Sequence, residues 1–167
     1  KPGDDDTDIK WEIAEPDKLK EKIDGAHRDT EDGRDQFLRI TRYCKRWKDF
    51  KFADTDKGRP TGIALTVMAL KGFKPCLKDE LTNATKIDDL KALLGLANYI
   101  LDQFGWASNR ISYDLPVEPR NNLFAKMTDV QSKTFKQKLE NLKQVLEEAS
   151  DEPPPGEDLG VDRQRGR

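Results

Sequence analysis

Residues 29–52 constrain this chain more than any other stretch. Phe37, Ile40, Cys44 and Trp47 recur at intervals of three and four, and Tyr43 and Phe50 widen the apolar stripe to about a third of the circumference. That spacing predicts an amphipathic helix of several turns. Arg39, Arg42, Lys45, Arg46 and Lys48 fill the rest of its surface. Residues 55–60, rich in Asp, Gly and Pro, then read as a turn.

The segment that follows, 61–73, is almost continuously apolar, running Ile63, Ala64, Leu65, Val67, Met68, Ala69, Leu70. A buried strand has the same composition, but the length and the alanines favour a central helix ending near Gly72. Residues 86–104 predict another helix, with Ile87, Leu90, Leu93, Leu94, Ala97, Ile100 and Leu101 buried. Residues 105–119 break the pattern and read as a structured loop. A long helix closes the domain, with Thr128 as N-cap and Phe135, Leu139, Leu142, Val145 and Leu146 as its stripe. Upstream, Ile9, Trp11 and Ile13 alternate with charged residues as in a short strand, and Pro16 opens a short charged helix. The fold class expected is mainly α, a helical bundle with one short N-terminal edge strand. Residues 1–14 are expected to be a linker plus that strand, 15–150 the helical lobe, and 151–167 a disordered polar tail beginning Asp-Glu-Pro-Pro-Pro-Gly.

Composition narrows the function classes. With 167 residues there is room for one domain with a core, and 37% charged against 35% hydrophobic residues implies a small core with solvated helical faces. A net charge of -2 supplies no global field toward nucleic acid, so any anion site must be local. Cys44 and Cys76 are too few for a disulfide framework and read as buried thiols. The single histidine, His27, excludes a His-rich metal site. No run approaches the roughly 18 apolar residues of a membrane span, and no signal peptide opens the chain, so the expected compartment is the cytoplasm. The chain begins Lys1-Pro2-Gly3 without a methionine, and is expected to be a piece of something longer.

No catalytic centre is visible. There is no Gly-Ser dipeptide, P-loop, nucleophile elbow or dinucleotide fingerprint. The Asp-x-Asp pairs Asp4/Asp6, Asp6/Asp8 and Asp54/Asp56 lie in polar stretches without the apolar strand flanks of a two-metal site, and read as solvated loop charge. The sequence does offer five cations within residues 39–48 of one helix, Lys45 roughly opposite the apolar stripe. It also offers Arg59-Pro60-Thr61-Gly62, which puts a hydroxyl at a helix start, where free N–H groups and the dipole favour anions. Taken alone, the basic residues are better explained as an ordinary solvated helix face, and an ordinary cap accounts for Thr61 as well as an anion site does; the two on consecutive helices make a stronger pair.

The runs Arg42-Tyr43-Cys44-Lys45-Arg46-Trp47-Lys48-Asp49 and Pro60-Thr61-Gly62-Ile63-Ala64-Leu65-Thr66-Val67 resemble the C-terminal part of bacterial CD-NTases, the cGAS/DncV-like nucleotidyltransferases distantly related to oligoadenylate synthases. Leu115-Pro116-Val117-Glu118-Pro119-Arg120-Asn121-Asn122-Leu123, and Trp11 followed by Glu15-Pro16-Asp17, fit the same order, so the resemblance spans about residues 8–150. It implies a helical substrate-binding lobe of an enzyme joining nucleoside triphosphates, ATP among them, into cyclic or linear oligonucleotide second messengers of antiphage signalling. Lys45 would contact the triphosphate, Thr61 would stand near the phosphates, and Arg42 would be a secondary contact. The metal-binding acids and their Mg2+ would belong to an α/β lobe upstream of Lys1, of which the strand at Trp11 is the remnant, so the chain is not expected to be active alone. Gly62 stands where some relatives place an aromatic that stacks the base, which leaves nucleotide choice open. Two other readings remain: a lobe of another polymerase-β-like nucleotidyltransferase, and a non-enzymatic module whose basic helix meets an acidic partner or RNA. The net charge and the lack of an aromatic–basic surface stripe argue against direct nucleic-acid contact.

Overall fold

The computed structural model describes residues 15–152. The expected edge strand at residues 9–14 and all but the start of the expected disordered tail lie outside them. Within them the chain is mainly α, in the order α1 (Pro16–Gly25), α2 (Glu31–Lys51), α3 (Gly62–Gly72), α4 (Asp89–Leu101) and α5 (Asp129–Asp151).

Local chemistry sets the boundaries. The Thr30 hydroxyl accepts from the Gly33 N–H, and Glu31 and Asp32 occupy the first turn of α2. Thr128 and Gln131 form a reciprocal capping box at the head of α5, where the cap was expected. The helix expected over 86–104 is shorter at both ends. Residues 76–88 fold into a hairpin-like excursion in which the Lys86 N–H bonds to Leu77 O and the Asp88 N–H to Cys76 O, both at 2.9 Å. Asp88 then caps α4 by accepting from the Lys91 N–H.

Helix α3 is the central rod, with Ala64 through Ala69 and Gly72 all buried. It touches α1, α2 and α4, while α4 packs along α5. Gly72 permits the α3–α4 approach: a Cβ there would sit 2.1 Å from Cδ1 of the Tyr99 ring. Under α5 the core is aromatic. Phe135, fully buried, meets Phe104 at 5.4 Å and Phe124 at 6.0 Å between ring centroids, with Trp47 and Phe52 on its other side.

The stripe of α2 is displaced around the helix from where its sequence suggests. Phe37, Ile40 and Cys44 are buried and Trp47 packs against them, but Tyr43 is 44% and Phe50 73% exposed. Thr41 is buried instead, its hydroxyl donating to Phe37 O. Val145 is likewise exposed on α5, where Phe135, Leu139, Leu142 and Leu146 carry the contact. Cys76, expected to be buried, is only partly so.

One polar lock ties these parts together. The buried Gln36 amide donates to Cys76 O and to Asp89 and accepts from the Cys76 N–H, and Arg39 grips the same Asp89 through two bonds of 2.8 and 3.0 Å. Arg39, one of the five cations of α2, is therefore structural.

Candidate functional site

The structure brings Lys45 to the beginning of α3. With Tyr43 and Phe50 outside the packed stripe and Thr41 inside it, the buried face of α2 is rotated toward α3. Lys45 then lies on the flank of the stripe, about 100° from its centre, rather than opposite it. A Cβ built on Gly62 would lie 3.8 Å from Lys45 Cε and 3.9 Å from Lys48 Nζ. Lys45 is exposed and makes no ion pair among the described residues. Lys48 has only 13% of its side chain exposed and pairs with its neighbour Asp49 at 3.3 Å.

Thr61 is the N-cap of α3, its hydroxyl accepting from the Ala64 N–H at 3.1 Å. The N–H groups of Gly62 and Ile63, in the first turn, have no intrahelical acceptor. Helices α1, α2, α4 and α5 each carry Asp or Glu in the first turn, opposite in sign to the positive end of the helix dipole. Helix α3 carries none there and has two lysines beside it instead. Two cations and a helix N-terminus repel one another unless an anion lies between them.

The same segment borders a cleft of about 390 Å³. Its rim is cationic, from Lys57 and Arg59 before Thr61 and Lys126 across from them. Its floor is apolar: Ile63, Leu115, Leu123, Phe124 and Met127. Phe124 reaches it from the aromatic core, stacked on Phe135. Arg59 is already engaged by Asp49 and Asp54, and the Arg59 guanidinium, helped by Lys48, holds the Asp49 carboxyl below the usual carboxylate range.

Thr61 thus borders the cleft, and its neighbour Gly62 lies beside the lysine pair. Arg42, one helical step further round α2, is exposed, lines no part of the cleft and makes no ion pair among the described residues. Lys48, the more buried of the two lysines, was not singled out in the sequence, although its position three residues after Lys45 puts it on the same flank.

A metal finds no seat in these elements. Among the described residues no group of three or more His, Cys, Asp or Glu is arranged for an ion. Asp54 is bound to Arg59, and Asp56 caps its own turn by accepting from the Gly58 N–H. The thiol of Cys44 is fully buried, which pushes its pKa up to about 12 and leaves it an inert core group. No helix among the described residues is long and apolar enough to cross a membrane. No family model, curated protein or solved structure matches the chain.

Proposed function

We propose that this chain is the helical, substrate-holding lobe of a nucleotidyltransferase, and that a nucleoside triphosphate, ATP among the candidates, docks its phosphates at the start of α3. The observation that carries the reading is the reversed electrostatics of that helix: Lys45 and Lys48 stand where the other helices place acids. The Gly62 and Ile63 N–H groups would donate to phosphate oxygens, Lys45 and Lys48 would neutralise their charge, and the Thr61 hydroxyl would border them. The apolar cleft floor at Ile63, Leu115 and Phe124 would seat the base, in place of an aromatic after Thr61.

In this reading the lobe binds and orients; the bond-making acids belong elsewhere. The described carboxylates do not fit Mg2+, so it would be held by a separate α/β lobe, and no chemical step is assigned to the residues here. The products would be the cyclic or linear oligonucleotide messengers of the CD-NTase-like enzymes that the α2 and α3 motifs resemble, and the setting the cytoplasm.

The test is a titration of AMP, ADP and ATP into the chain. Affinity should rise with each added phosphoryl group, and Lys45→Ala should weaken ATP binding about tenfold, or ~1.4 kcal/mol, for loss of one charge-assisted contact. Equal affinity for AMP and ATP, or indifference to Lys45→Ala, would remove the triphosphate from this site.

One observation favours a second reading. The far flank of α2 does carry an aromatic–basic stripe, since Tyr43 and Phe50 are exposed and Arg46 lies 5.1 Å over the Phe50 ring, with Arg42 beside them. Such a stripe suits stacking and phosphate contact with single-stranded RNA. Salt-sensitive binding of an oligoribonucleotide, abolished by Phe50→Ala but not by Lys45→Ala, would support an interaction module instead.

A further inference from the structure

We propose that a second cleft, at the opposite end of α3, is a binding site for a small molecule carrying two or more phosphoryl groups. This cleft encloses about 580 Å³. Three cations reach it from three different elements: Lys22 from α1, Lys71 from the last turn of α3, and Arg120 from the segment that follows Tyr113. Lys22 and Lys71 make no ion pair among the described residues, and Arg120 pairs only with the exposed Glu118 two residues away, at 3.0 Å. Asp114 is the single carboxylate among the described residues of the wall.

Complementing the carbonyl end of α3 would explain Lys71 alone. It does not explain Lys22 or Arg120, which come from other elements to the same opening. The base of the cleft supplies a further argument. The hydroxyls of Tyr99 and Tyr113 bond to each other at 2.8 Å. That bond uses one of their two protons, and the other has no acceptor among the described residues. The pair therefore presents one donor, polarised by its partner, into a space ringed by positive charge. Burial and the Tyr99 hydroxyl hold the Tyr113 phenol above its usual range, so it stays a donor throughout the neutral pH range.

With Asp114 on the wall and Glu118 held by Arg120, the three cations still leave an excess of positive charge; because they come from separate elements, two or more linked phosphoryl groups can reach more than one of them, and the guanidinium of Arg120 suits paired phosphoryl oxygens. The mostly polar wall distinguishes this site from the apolar floor of the first cleft. Leu115 borders both.

The proposal stands apart from the nucleotide reading, and the test keeps the two separate. Inorganic tripolyphosphate is titrated calorimetrically, in about 0.1 M salt, into the 167-residue chain carrying Lys45→Ala and Lys48→Ala, which silences the first site. One binding event should remain. Adding Lys71→Glu and Arg120→Glu, both at exposed positions, should weaken it by tenfold or more, and Tyr113→Phe by severalfold. Circular dichroism checks each variant, and Tyr99→Phe replaces Tyr113→Phe if the latter melts early. No residual binding at millimolar tripolyphosphate, or residual binding that ignores the charge reversals, overturns the site. Equal binding by wild-type chain and the Lys45/Lys48 variant would instead count against the first site and leave this one standing.

Discussion

A lysine with 13% of its side chain exposed, set beside the positive end of a helix, sits in an unfavourable field. Asp49 offsets part of it for Lys48, and nothing among the described residues does so for Lys45. The expected outcome of Lys48→Met, which keeps the aliphatic stem packed, is unchanged or slightly higher stability, by a few tenths to ~1 kcal/mol in urea melts, together with weaker ATP binding. A loss of stability above about 1 kcal/mol would mean that Lys48 holds the fold rather than a ligand. His27 makes a separate residue-scale prediction. Its φ of 56° places it in the left-handed region, and its ring packs 4.8 Å from Phe37 and 4.9 Å from Phe73. Burial, and secondarily Arg34, lowers its pKa below the free value, while a backbone bond to Leu70 partly opposes them. With the folded-state pKa below the unfolded value of about 6.5, the unfolded chain takes up the proton first. Stability should therefore be flat above that pH and fall as pH drops through it. As the chain has one histidine, His27→Gln should flatten a melting profile taken between pH 7 and 5.

At the scale of elements, the helices were legible from their apolar spacing, and Thr61 and Thr128 cap where the sequence placed caps; Thr30 and Asp88 also cap but were not read as such, and α4 starts after Asp88 rather than at residue 86. The parts that escaped are those fixed by distant partners. Residues 86–88 read as the start of a helix, but they belong to the excursion from Cys76, whose backbone groups are claimed by Gln36, forty residues upstream. Ile111, Tyr113, Leu115 and Val117 alternate strictly and all turn inward, a period-two signal inside what reads as a loop. Tyr43 and Phe50 were placed in the core because apolar residues count alike in a periodicity, whereas the neighbours of α2 cover the side that carries Gln36 and Thr41 and leave Tyr43 and Phe50 outside. That error hid both the exposed stripe and the true bearing of Lys45. Gly72 tests the packing directly. Its substitution by Ala drives a methyl into the Tyr99 ring, and should cost about 1–3 kcal/mol by separating α3 from α4. A cost near zero would mean that the ring rotates away freely.

For the whole molecule, α3 is a buried rod whose two ends open onto clefts of different character, apolar-floored at Thr61 and polar at Lys71. The segment through Leu115 borders both clefts, and Phe124 and Phe135 connect the first to the aromatic core. Of the site residues read from sequence, Lys45 and Thr61 meet at one place because the short 52–61 turn returns the chain alongside α2; Arg42 does not, since the axis of α2 separates it from α3. The central claim is that the start of α3 receives phosphates. Titrating ATP into 15N-labelled chain and following the Gly62 and Ile63 amides measures it most directly. The account predicts large saturable shifts at these two amides that are lost in the Lys45→Ala, Lys48→Ala double variant; silent amides at saturating ATP, or shifts that persist in that variant, would contradict it.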